Sequence, residues 1–292
     1  MTLLLLLALA LACTLAWGPG HHLEFSQRVH RRRREHLPKD VALLLGEERD
    51  AYFYGSIAAD IINFKAYGGD YNHCHRWGIV DDMRELADSP RDEAFILGYL
   101  SHLAADTIAH NHFVPYHLCR YARTKGLGHL YWEMNADRFV PEARWSIINH
   151  LKSQPELFEL DELVNQTVPK KALSMTANKL IFNHVLLVSQ RDSWRRGMER
   201  IHPSKSVKLE KGFLGRFQRA AVDRVRLALR PRGFRALQVV DPNGKAAQKE
   251  AVVLRRGILS RWKAGTKRTG ESERLAQPFL EGMESPPPQT GA

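Results

Sequence analysis

A chain of 292 residues and 33.4 kDa, 44% hydrophobic and 26% charged, is long enough to bury a large core, so it is not a mini-protein that needs metal merely to fold. Its formal net charge of +11 and pI near 9.7 favour anionic partners, whether phospholipid headgroups, nucleic acid or phosphate esters. Charge alone does not choose among them.

In chain order, residues 1–16 open with an uncharged leucine and alanine run, "MTLLLLLALALACTLA", of secretory length that ends in small residues. It reads as a signal peptide cleaved before Trp17, giving a secreted or periplasmic protein. The missing Lys or Arg at its start keeps an uncleaved membrane anchor as the alternative. Residues 22–36 pattern as a helix with an arginine run at its C-terminal end, which suits the helix dipole. Further helices are predicted over 39–48, over 89–110 with Ser89 as N-cap and Pro90 in the first turn, and over 128–140. The pattern continues over 170–194 and 215–231, whereas "RALQVVDPNGK" at 235–245 is the one segment that could be a strand entering a turn. The fold class is therefore all-α, a multi-helix bundle. From 203 to 270 the chain carries 18 Lys plus Arg against 4 Asp plus Glu, a net of +14, so everything else sums to about −3. That segment reads as a basic, mainly helical extension. Residues 271–292, rich in Pro, Gly, Ser and Glu, read as a disordered tail. Of the three cysteines, Cys13 leaves with the signal, and Cys74 and Cys119 could be bridged or simply buried.

Eleven of the 14 histidines precede residue 130. In "SHLAADTIAHNHFVPYH", His102 and Asp106 stand four apart on a predicted helix, so both side chains project from one face and can grip a common ion. His129 and Glu133 repeat the device. One such pair is an ordinary helix-surface pairing. Two pairs, joined by "HNH" and preceded by "HCH", point to metal, and imidazole with carboxylate suits zinc. His117, His150, His184 and His202 read as core or surface residues, and the sequon at Asn165 as a chance match.

These residues, in this order over roughly 17–195, resemble the zinc-dependent phospholipase C superfamily, which also takes in single-strand nucleases of the same fold and the catalytic domain of glycosylphosphatidylinositol-specific phospholipase D. "GYLSHLAADTIAHNHFVP" is most similar to a bacterial branch of it. The resemblance implies a catalytic domain over 17–202 with three zinc ions in a cleft. It implies Trp17 as a ligand through its freed amine and carbonyl, His22 as the first-helix ligand, and Asp60, in "GSIAADI", as both ligand and candidate base. In "YNHCHRW" it points to His73 first and His75 second. It implies His102 as a ligand, Asp106 as the carboxylate bridging two ions and acting in catalysis, and His129 with Glu133 on the remaining ion. That ion needs one more histidine. Two branches of the superfamily place it differently, at His112 or at His110, and the four-residue stripe of His102, Asp106 and His110 favours His110. "WGPGHH" lacks the acidic residue that secreted phospholipases carry near their mature start.

The activity implied is hydrolysis of phospholipid phosphodiester bonds by metal-activated hydroxide. A single-strand nuclease on the same scaffold is the nearest alternative, with Tyr71, Trp77 and Tyr131 as candidate stacking aromatics and the basic segment as phosphate contact. A non-catalytic, zinc-stabilised protein that docks on membrane or nucleic acid is the alternative of a different class.

Overall fold

A computed structural model of the protein describes residues 17–69, 73–122, 128–189, 196, 209–265 and 270–284. The leader read at 1–16 lies outside these residues, as do Tyr71 and His202. Among the described residues every regular element is helical, and none of the helices is long and apolar enough to cross a membrane.

The first helix, α1 (Pro19–Arg31), starts on a proline, whose missing N–H costs nothing there, and ends in Arg28, His30 and Arg31. Arg33, in the short α2 (Arg33–His36), is only partly solvated: it donates to the carbonyls of His30 and Ala42 and so ties the end of α1 to α3 (Lys39–Glu47). Helices α4 (Arg49–Ala58) and α5 (Gly78–Leu86) follow. Next comes the central α6 (Pro90–Ile108), opened by a full capping box in which Asp92 N donates to Ser89 Oγ and Ser89 N to Asp92 Oδ2, each at 3.1 Å.

Every residue of α6 from Ala94 to Ile108 is buried. It lies closest to α4, because two glycines meet at the crossing. A Cβ on Gly98 would stand 2.1 Å from the Tyr52 carbonyl oxygen, and one on Gly55 2.0 Å from that of Phe95. Only bare backbone fits there, and that closeness brings the end of α4 against the middle of α6.

Past Ile108 the central helix widens into a π-helical turn over Ala109–Phe113 before continuing as α7 (Val114–Arg120). Pro115 is the physical reason: it has no N–H for the carbonyl four residues back, and its ring needs the room. Helices α8 (Gly128–Asp137), α9 (Glu142–Lys152), α10 (Asp161–Thr167) and α11 (Met175–Ser189) complete the first part of the chain.

The later helices are α12 (Lys211–Ala228), α13 (Pro231–Leu237), α14 (Lys245–Lys263) and α15 (Glu271–Ala276). They are not a loose appendage: α12 packs on α6 and α1, while α14 and α15 pack on α7. Phe217 of α12 meets Phe113 at 5.3 Å, and Phe113 stacks on Trp17 at 4.8 Å, so one aromatic core joins both parts. The segment 235–245, where a strand could have begun, instead finishes α13 and turns into α14. Residues 271–284, unpromising by composition, are ordered by burial of Ala276, Phe279 and Met283.

Candidate metal centre

Where α4 ends against α6, buried polar groups gather around Asp106. Its Oδ2 lies 3.2 Å from His75 Nε2, 3.3 Å from His102 Nε2 and 3.8 Å from His110 Nε2, and its Oδ1 lies 3.3 Å from His22 Nε2. Four imidazoles thus surround one carboxylate. His22 stacks on His102 with ring centroids 3.6 Å apart, and His75 Nε2 sits 2.9 Å from His102 Nε2. Asp60, in the turn after α4, reaches the same cluster at 3.6 Å from His75 and 3.8 Å from His102. Among the described residues three sets of possible ligand atoms emerge: His22 with His102 and Asp106, Asp60 with His75 and His102, and, beside them, His73 with Cys74 and His75.

The surroundings prepare these groups for a cation. His102 Nδ1 donates to the Ser56 carbonyl at 3.0 Å, which leaves Nε2 as the bare nitrogen facing the cluster. Both ring nitrogens of His22, both oxygens of Asp106 and Oδ2 of Asp60 are buried without a hydrogen-bond partner. Each such orphan costs about 1–3 kcal/mol unless something meets it. Imidazoles and carboxylates aimed at one point are zinc donors, so the residues fit the metal.

Electrostatics treat the three buried rings differently. Burial lowers His22, and burial together with the nearby Lys65 ammonium holds His75 well below its ordinary value, so both rings are kept neutral, each with one nitrogen lone pair free of a proton. For His102, burial opposes charge, yet the carboxylates of Asp106 and Asp60 outweigh it and raise the value. Burial would raise Asp106, but His102 and His22 pull it well below the carboxylate range. Glu133 on α8 is fully buried, and burial followed by repulsion from Asp106 pushes it well above the usual range.

The remaining candidates are distributed as follows. Trp17 is buried beside α6, its indole donating to the Ala105 carbonyl at 3.2 Å. His73 is half-buried, and its Nδ1 accepts the His75 backbone N–H at 3.0 Å while its ring stands 5.9 Å from that of His75. Thus His75, not His73, is brought to His102 and Asp106. His112, carried to another side by the π turn, pairs with the Phe279 carbonyl at 2.9 Å, whereas His110 faces Asp106. His129 lies on α8, but its side chain is outside the described residues. His21 pairs with Asp137 at 2.6 Å and His30 with the Leu45 carbonyl at 2.9 Å, both away from the cluster. Cys74 and Cys119 are buried and free, with burial pushing the Cys74 thiol up to about 12.

Sequence reasoning missed Lys65. Its ammonium is buried 2.6 Å from Asp60 Oδ1 and 3.3 Å from His75 Nε2; burial disfavours its charge, but Asp60 more than compensates and raises its value. A lone lysine at the start of one short 3-10 turn, Lys65–Gly68, carries no periodic signal that would mark it.

An all-helical scaffold burying an imidazole and carboxylate cluster defines a metal-binding protein. The chain belongs to the zinc dependent phospholipase C family, whose model matches residues 21–175. Membership brings zinc as cofactor and phospholipase C-like hydrolysis of phosphodiester bonds as the general activity. No curated protein and no solved structure matches the chain.

Proposed function

We propose that the chain is an exported phosphodiesterase that hydrolyses phospholipids at three zinc ions. The observation that carries the reading is Asp106, buried among four imidazoles within 3.8 Å and with neither oxygen hydrogen-bonded. Asp60, His75, His102 and Asp106 would hold one ion, and Trp17, His22 and Asp106 a second, so that Asp106 bridges two. His110, His129 and Glu133 would hold the third. Zinc supplies Lewis acidity toward phosphoryl oxygens and an acidified water as nucleophile. Asp60, fixed through one oxygen by Lys65, keeps its other oxygen to orient that water or take its proton.

The placement of the aromatic side chains favours lipid over nucleic acid. Phe64 and Tyr67 flank the inward-pointing Lys65 and are 47% and 62% exposed, giving the cluster an apolar rim suited to a lipid surface. Phe64 is held at φ +55, a strained conformation for a phenylalanine. Trp77 and Tyr131, by contrast, are buried and offer no platform for stacked bases; Tyr71 lies outside the described residues. On α14, the exposed Lys245, Lys249, Arg256 and Lys263 fall within about 40° of one another at 100° per residue and form a cationic stripe that suits anionic headgroups and nucleic-acid phosphates alike.

The zinc-loaded chain, assayed in parallel on phosphatidylcholine vesicles, phosphatidylinositol vesicles and single-stranded DNA, tests this. Release of diacylglycerol from either lipid is expected. Cleavage of DNA with no lipid turnover would make it a nuclease, and no turnover with zinc bound would leave a zinc-stabilised binding protein.

A further inference from the structure

Cys74 stands between the two histidines of "HCH", buried beside the metal cluster, and the reading above gives it no part. Its Sγ lies 3.2 Å from His75 Nδ1, while the other nitrogen of that ring, Nε2, lies 3.3 Å from the Lys65 ammonium. An ammonium only donates, so Nε2 carries no proton of its own and the proton of the ring stands on Nδ1. Asp106 does not reverse this: its Oδ2 is 3.2 Å from Nε2 but receives no hydrogen bond there. His75 Nδ1–H therefore donates to the Cys74 sulfur, and the bare Nε2 faces Asp60, His102 and Asp106.

The loop that carries this pair is tied to the helix that carries His102. Tyr99, buried on α6 three residues before His102, donates its hydroxyl to the Cys74 carbonyl at 2.7 Å, and His73 Nδ1 accepts the His75 backbone N–H at 3.0 Å. Cys74 is thus held by its carbonyl while its sulfur meets the ring that follows it. We propose that Cys74 is a positioning residue of the metal centre, whose sulfur accepts the Nδ1 proton of His75 and so fixes the tautomer and the ring plane that present Nε2 to zinc. The proposal rests on the reading of His75 as a zinc ligand given above. His102 is held in the same way by an oxygen, since its Nδ1 donates to the Ser56 carbonyl. Loss of such an outer partner typically costs 10–100-fold in metal affinity, and sulfur, a weak acceptor, belongs toward the lower end. The grouping of His73, Cys74 and His75 would also let a Cys74 thiolate take metal directly. The contact of its sulfur with His75 Nδ1 favours the outer role, and the two roles have different signatures.

The test uses the full chain with Cys74→Ser, which keeps an acceptor, with Cys74→Val and Cys74→Ala, which do not, and with Cys119→Val, at the buried cysteine of α7, as control. Zinc affinity is read by chelator competition, the coordination by the visible and near-ultraviolet spectrum of the cobalt-substituted protein, and folding by the urea midpoint. The expected result is a loss of zinc affinity of about 10-fold or more and an altered cobalt spectrum in C74V and C74A, with C74S and C119V near wild type. No cobalt–thiolate charge-transfer band is expected in wild type. C74V fills the volume of the thiol and C74A avoids branching, so either one that folds carries the comparison. Wild-type affinity and spectrum in the acceptor-free variants, or an equal loss in C74S, overturn the proposal while leaving the ligand assignment intact. A cobalt–thiolate band in wild type that vanishes in C74S overturns it in favour of direct ligation by Cys74. A wild-type chain that binds no zinc would overturn the ligand assignment itself, and the proposal with it.

Discussion

Asp106 concentrates the chemistry in one side chain. Replacing it with asparagine keeps the shape but removes the charge that four imidazoles face, so D106N should lose more than about 100-fold in lipid hydrolysis, a larger effect than removal of an outer partner; near-normal turnover would refute the assignment. A second residue predicts a pH effect away from the cluster. His117 is buried, which lowers its pKa to about 3, only partly offset by its bond to the Phe113 carbonyl. It is neutral when folded, whereas the unfolded chain takes up a proton below about pH 6.5. The stability it contributes is therefore complete above pH 6.5 and declines as pH falls toward 3. Urea midpoints should show wild type losing about 2–3 kcal/mol more than His117→Gln between pH 7 and 4.5; parallel declines would contradict it. At this scale the sequence was informative where spacing repeats: His102 and Asp106 could be paired from a four-residue interval. The resemblance put His73 ahead of His75, whereas the fold brings His75 to Asp106 and His102, because both lie in a loop whose path is set by distant contacts, such as Asn243 on the His75 carbonyl.

The crossing of α4 and α6 converts two glycines into a property of the centre. It sets the Ser56 carbonyl against His102 Nδ1, so the same contact that packs the helices orients a ligand. Gly98→Ala should cost roughly 1–3 kcal/mol or more through backbone displacement, seen as a lower urea midpoint. It should also weaken zinc binding, and an unchanged variant on both measures would deny the coupling. The segment after α4 makes a different prediction. Replacing Phe64 and Tyr67 together with alanine should reduce hydrolysis of vesicles while sparing a soluble phosphodiester substrate, since neither residue touches the cluster's hydrogen bonds; equal loss on both substrates would remove the rim from lipid recognition. Helix existence was legible from caps and apolar spacing, as for α6 with Ser89 and Pro90. The π turn was not, although Pro115 signals it, because a proline shows that a helix must adjust without showing how.

For the molecule as a whole, the basic region that composition marks off after residue 203 is packed into the fold while keeping a cationic stripe outside. Composition alone suggested an extension and a disordered end; it could not reveal that Phe217, Phe279 and Met283 are buried in the common core. Binding to anionic vesicles should weaken steeply as salt rises from 0.05 to about 0.5 M, because exposed charges are screened over a few ångströms at high ionic strength. Salt-independent binding would point to the apolar rim instead. Everything proposed about the reaction depends on metal. The most direct measurement is zinc bound per purified chain, for wild type beside D106N. The expected result is at least two and up to three ions in wild type and fewer in D106N; fewer than two in wild type, or no difference between the two proteins, would contradict a catalytic zinc cluster built on Asp106.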